Sequence, residues 1–125
     1  MRVILVDDEV EFVSALAERL SLRGIDADWI SVPEEAIAKA EEECYDLAVL
    51  DMKMPRIGGI ALKKRLHDQC PDMKFIFVTG HGSEQAFREG SMEADYYLLK
   101  PVQIEKLMAK ISEALSGKPE EAPDA

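Results

Sequence analysis

The chain has 125 residues, with 25 acidic against 15 basic side chains and a formal charge of −10. That length holds one domain and no second, and folding it buries about two-thirds of the surface exposed when unfolded, so no covalent staple is required. Hydrophobic residues at 47% and charged ones at 32% exclude a disordered chain, no apolar run approaches the ~20 residues of a membrane helix, and the acidic field disfavours direct nucleic-acid binding.

Val3-Ile4-Leu5-Val6 is a first strand, stopped by Asp7-Asp8-Glu9. The residues before that stop do not resemble a signal peptide, so a cytoplasmic location is expected. Phe12, Leu16 and Leu20, with Val13 beside them, mark one face of a first helix ending near Gly24. Ala27–Ile30 predicts a second strand of edge character, because Asp26 and Asp28 interrupt its apolar run. Pro33 suits the first turn of a second helix, with Ser31 as its expected cap and Ala36, Ile37 and Ala40 as its apolar face.

Cys44 follows, and Cys70 lies far beyond it. With no CxxC and no Cys/His cluster, two free thiols in a reducing cytosol are expected. Leu47-Ala48-Val49-Leu50 is a third strand ending at Asp51, and a loop through Pro55 and Gly58-Gly59 leads to a helix carrying Ile60, Leu62 and Leu66. Phe75-Ile76-Phe77-Val78 is a fourth strand ending at Thr79. The stretch from Gly80 to Gly90 is poor in apolar residues. Tyr96–Leu99 is a fifth strand ending at Lys100-Pro101, and Ile104, Leu107, Met108, Ile111 and Leu115 define the last helix. A domain over 1–115 is expected, with 116–125 as a polar tail or truncated linker.

Strands alternating with helices predict a parallel α/β sheet covered on both faces, since parallel neighbours need right-handed crossovers and such strands are apolar at consecutive positions. In such sheets ligands bind outside the carboxyl ends of the strands. Those ends carry Asp7-Asp8, Asp51, Thr79 and Lys100. Turn formers commonly follow strands, so no one of these residues is informative alone. Together they place three carboxylates, a hydroxyl and an ammonium in one crevice, with −2 left over. Oxygen donors with no His or Cys select Mg²⁺, or Mn²⁺, and a metal open to a phosphate oxygen suits phosphoryl chemistry at a carboxylate.

The blocks ILVDDE, DLAVLDMKMPRIGG, IFVTGHG and DYYLLKP resemble the response-regulator receiver domain of two-component signalling, over about residues 2–115. The resemblance implies a flavodoxin-like sheet of order 2-1-3-4-5 and a phosphoacceptor, Asp51, that takes its phosphoryl group from a sensor histidine kinase or a histidine phosphotransfer protein. It implies Asp7 and Asp8 as the acidic pair that organises Mg²⁺, with Asp51 and the backbone carbonyl of Lys53 completing the protein ligands. Thr79 becomes the switch hydroxyl, Lys100 the partner of the phosphoryl group, Tyr97 the switch aromatic, and Lys100-Pro101 a cis peptide. Gly58 stands where the family often has a capping acid. Lys53 and His81 flank the site and are expected to tune the lifetime of the phosphorylated state.

The implied module is not an enzyme beyond self-catalysed phosphoryl transfer and dephosphorylation. Its output face is expected over residues 80–115, for a downstream protein, an effector domain or a second copy. A rival reading is a Mg²⁺-dependent phosphatase or phosphotransferase of the haloacid-dehalogenase kind; that group wants Asp-x-Asp, whereas here the pair is adjacent. A flavodoxin proper would want a Ser/Thr/Gly-rich phosphate loop where VDDEVEF stands.

Overall fold

The computed structural model describes residues 1–80 and 96–116. The elements are β1 (Arg2–Val6), α1 (Val10–Leu22), β2 (Asp26–Ile30), α2 (Pro33–Glu42), β3 (Leu47–Asp51), α3 (Gly59–Gln69), β4 (Lys74–Thr79), β5 (Tyr96–Leu99) and, as the last helix, α4 (Ile104–Ser116). The strands form one parallel sheet in the order β2-β1-β3-β4-β5, as the resemblance implied. The residues that join β4 to β5, His81 among them, lie outside the described residues, as do 117–125 of the expected tail. Ser116 belongs to α4 rather than to that tail.

Side chains alternate across the central strands, and both sets are apolar because both faces are covered. Ile4, Val6, Ala48, Leu50, Phe75 and Phe77 point to the layer shared with α2 and α3. Val3, Leu5, Leu47, Val49, Ile76 and Val78 meet Val13, Leu16 and Leu20 of α1 and Ile104, Leu107 and Ile111 of α4. Each fully buried side chain of this size stabilises the fold by about 1.5–3 kcal/mol. Helix α1 stops at Gly24, whose φ of +87° disfavours a side chain. Its N–H and that of Ile25 return to the carbonyls of Ser21 and Leu20.

Two expectations are corrected. Ser31 does not cap α2: Val32 occupies the N-cap without a side-chain bond, and the Glu35 N–H donates to its carbonyl, with Pro33 opening the helix. Cys44 and Cys70 are not free thiols but form a disulfide, with Cα atoms 5.8 Å apart. The physical reason is topological: α2 and α3 cover the same face of the sheet and both finish at the amino ends of the strands, next to the adjacent strands β3 and β4, so residues distant in sequence become neighbours.

Beside the disulfide, Arg2 knits that end of the sheet together. Its guanidinium lies 3.0 Å from Glu43 and 3.7 Å from Asp28 and stacks 4.4 Å from the Tyr45 ring centroid. The Tyr45 hydroxyl donates to Asp28 at 2.7 Å. Burial and the Asp28 carboxylate push that phenol up to about 12.

Candidate functional site

The carboxyl ends of β1 and β3 lie side by side, because these two strands pair in parallel with Val6 opposite Leu50. This pair is also where the strand order reverses, the place at which open parallel sheets leave a crevice. Asp51 ends β3, and Asp7 follows β1 with its N–H bonded to the Ile30 carbonyl. One oxygen from each of Asp7, Asp8 and Asp51 lies within 4.8 Å of the others. Asp7 and Asp51 are buried, at 3% and 7% exposure, while Asp8 faces solvent.

Lys100 reaches this cluster from the end of β5. Its Nζ lies 2.9 Å from Asp7 and 2.5 Å from Glu9, and 4.5 Å from the centre of the Phe12 ring. The Lys100–Pro101 peptide is cis. Asp8, Glu9, Asp51, Lys53, Gly80 and Lys100 line an open hollow of about 320 Å³.

Electrostatics follow from the crowding. Burial, then the Asp7 charge, pushes Asp51 up to about 6, although Lys100 opposes this. Burial likewise raises Asp7, against the Glu9 N–H that donates to its Oδ1 at 2.9 Å and against Lys100. For Lys100 burial favours the neutral amine, but the bonds to Glu9 and Asp7 and the Asp51 charge outweigh it and hold the ammonium above its usual range. The site is therefore short of positive charge and strongly retains the ammonium it has.

The sequence brought Asp7, Asp8, Asp51 and Lys100 to one place, and the structure gathers all four. Lys53 stands exposed at the mouth. Thr79 ends β4, on the strand adjacent to Asp51. Tyr97 is half-buried against the layer under α2 and α3, where burial raises its phenol. His81 lies outside the described residues.

Two participants were missed. Glu9 was read as part of a strand stop, yet it holds Lys100; its place two residues after Asp7 was the available signal. Phe12 packs against the core layer under α1, as its place in the apolar stripe predicts, and also lies under the lysine.

Gly59 sets how closely α3 approaches the acceptor strand. A Cβ there would stand 2.3 Å from the Asp51 carbonyl oxygen and 3.0 Å from the Met52 Cα, both backbone atoms. The Gly59 N–H meanwhile donates to the Met52 carbonyl at 2.9 Å. Gly59→Ala must push α3 off β3, and is expected to destabilise the fold by about 1–3 kcal/mol, read as a lowered urea midpoint. By contrast Gly58→Ala, with only the Met52 oxygen at 3.3 Å, is expected to be milder.

A doubly wound parallel sheet with its polar groups at the β1/β3 reversal defines the flavodoxin-like class of α/β proteins. Comparison with known proteins narrows this: residues 3–112 match the family model of the response regulator receiver domain, and the chain belongs to that family. It is 33% identical over 116 residues to the two-component response regulator PhoP of Pseudomonas aeruginosa, covering 92% of this chain and 52% of that protein. To the alkaline phosphatase synthesis transcriptional regulatory protein PhoP of Bacillus subtilis it is 33% identical over 115 residues, covering 91% and 48%. The chain thus spans about half the length of these relatives.

Among solved structures, a CheY-like receiver domain protein from Methanospirillum hungatei superimposes with a TM-score of 0.84 at 32% identity, over 97% of this chain and 98% of that one. A Burkholderia pseudomallei response regulator, solved with a phosphorylated aspartic acid, a calcium ion and citrate, gives 0.81 at 27% identity, over 98% and 74%. The chain is a receiver module of two-component signalling; the haloacid-dehalogenase reading finds no support. No helix among the described residues is long and apolar enough to cross a membrane.

Proposed function

We propose that Asp51 accepts a phosphoryl group from the histidine of a sensor kinase or phosphotransfer protein, and that the resulting charge change biases the β5–α4 face toward a downstream protein or an effector domain. The observation that carries this reading is the convergence of the Asp7, Asp8 and Asp51 oxygens within 4.8 Å beside the Lys100 ammonium. In the step itself an Asp51 oxygen bonds to phosphorus as the phosphorus–nitrogen bond of the donor breaks. Asp51 must be ionised to attack, and a carboxyl near 6 is largely so at neutral pH.

The donor set fits a hard divalent ion: oxygen ligands, a surplus of negative charge and, among the described residues, no Cys or His in the cluster. Asp7, Asp8, Asp51 and the Lys53 carbonyl would hold Mg²⁺, or Mn²⁺, which when bound neutralises phosphoryl oxygens. The phosphorylated aspartate and calcium ion of the Burkholderia protein support the same reading. A cytoplasmic location belongs to it as well.

Phosphorylation takes the acceptor from −1 to roughly −2 and adds acceptor oxygens. Lys100 then has reason to leave Glu9 for the phosphoryl group, with the Thr79 hydroxyl as second donor and Tyr97 as the aromatic that follows. Moving a 1:99 population to even odds takes about 2.7 kcal/mol. One charge-assisted pair plus one hydroxyl bond is of that size.

Incubation with acetyl phosphate and Mg²⁺, followed by intact mass, is expected to add one phosphoryl group, lost when EDTA is present. An unchanged mass overturns the proposal. Lys53, exposed at the mouth, is positioned to pair with the phosphoryl oxygens and hinder water. Lys53→Ala is expected to speed autodephosphorylation about twofold to fivefold, the range of an exposed ion pair. An unaltered decay removes Lys53 from that role. His81→Ala gives the parallel test for the other tuning residue.

A further inference from the structure

The Cys44–Cys70 disulfide lies at the amino ends of the strands, away from the acidic hollow, and no part of the phosphoryl chemistry uses it. Its two cysteines are not equally exposed. Cys44 is exposed on the α2–β3 connection, whereas Cys70 is 3% exposed and caps α3. The Cys70 N–H donates to the Leu66 carbonyl and its own carbonyl accepts from Met73, so its backbone is held on both sides. An open cavity of about 210 Å³, lined by both cysteines, Asp46, Asp72 and Met73 among others, gives a small molecule access to the bond.

From this asymmetry we infer that the disulfide is a thiol-exchange site at which a small neutral or cationic thiol attacks Cys44, and Cys70 leaves. A thiolate must approach one sulfur opposite the bond it breaks, and Cys44 is the exposed residue of the pair. The sulfur–sulfur bond breaks as the new one forms, and the electron pair leaves on Cys70, which takes a proton from solvent. A second thiol then attacks the mixed disulfide and releases Cys44 as a thiol. The balance is one protein disulfide plus two thiols giving two protein thiols plus one small disulfide.

Local charge selects the reagent. Asp46 and Asp72 line the cavity, while Arg2 is already engaged by Glu43 and Asp28. An anionic thiol meets repulsion there and an aminothiol does not. The acid quench protonates the Cys70 thiolate and so traps the mixed disulfide on Cys44 before it recloses.

The test uses the full, native chain, air-oxidised and free of denaturant, treated with cysteamine or with 2-mercaptoethanesulfonate at matched thiolate concentration and quenched with acid. Peptide mass mapping is expected to place the adduct on Cys44, with cysteamine faster by about threefold at low salt and the gap closing at high salt. Single-cysteine variants supply a second measurement. Cystamine is expected to modify Cys70→Ser, through its remaining Cys44, at least about tenfold faster than Cys44→Ser. Adducts on Cys70, equal rates in the two variants, reduction only in denaturant, or two titratable thiols in the native oxidised chain would each overturn the inference. None of these readouts involves Asp51, so they stand apart from the test of phosphorylation.

Discussion

Asp51→Asn is expected to abolish phosphoryl uptake and, in the same protein, to raise the stability of the fold at neutral pH. Uptake fails because an amide offers no anionic oxygen to attack phosphorus. The stability gain has a separate origin. Asp51 is 7% exposed, and burial together with the Asp7 charge pushes its carboxyl from 3.8 up to about 6. The fold thus binds that proton more tightly than the unfolded chain does. Below about pH 4 both states hold the proton and the penalty vanishes; it grows as pH rises toward 6 and is complete above that.

At about 1.4 kcal/mol per tenfold, the full penalty is on the order of 2–3 kcal/mol. Asp7 is shifted in the same direction and adds to the same slope. Thermal melts in EDTA are expected to show Asp51→Asn melting about 5–10 °C above the parent near neutral pH, with the gap closing toward pH 4. Mg²⁺ is expected to narrow the gap at neutral pH, because it binds the folded parent and not the unfolded chain. A variant no more stable than its parent, or a gap that ignores pH, contradicts the crowded-carboxylate account.

Reduction of the disulfide is expected to lower stability by about 3.5 kcal/mol, the chain-entropy value for a cross-link joining residues 26 apart. The chain should nonetheless remain folded, since the apolar layers on both faces of the sheet do not depend on the bond. Calorimetry with and without a phosphine reductant is expected to show one cooperative transition in each case, with the reduced midpoint roughly 10 °C lower. Coincident midpoints would mean that Arg2, Tyr45 and Glu43 already hold this end of the sheet without help. A chain that loses cooperativity on reduction would mean the opposite, that the two helix ends depend on the clasp.

The acidic hollow was legible in advance for a local reason. Each strand is a short apolar run, each run stops at a polar residue, and in a parallel sheet all the stops lie at one end. That reasoning reaches Asp7, Asp8, Asp51 and Lys100 without coordinates. It reaches neither Glu9 nor Phe12, because which neighbours a long lysine side chain meets depends on how β5 and α1 are set against β1. The Ser31 cap failed for a related reason: Val32 and Pro33 place the chain's entry into α2 one residue later, and Pro33 needs no donor capped.

Residue order alone determined the strand–helix alternation, the burial of both sheet faces and the polar stops, since all three follow from periodicities of a few residues along the backbone. Only the tertiary structure decided that Lys100 rests between Glu9 and Asp7, that Gly59 must lack a side chain against β3, and that Cys44 meets Cys70. The lysine and cysteine contacts join residues distant in sequence, which crossovers bring together with no trace in their spacing along the chain; the Gly59 contact is set by how closely α3 folds back onto the end of β3.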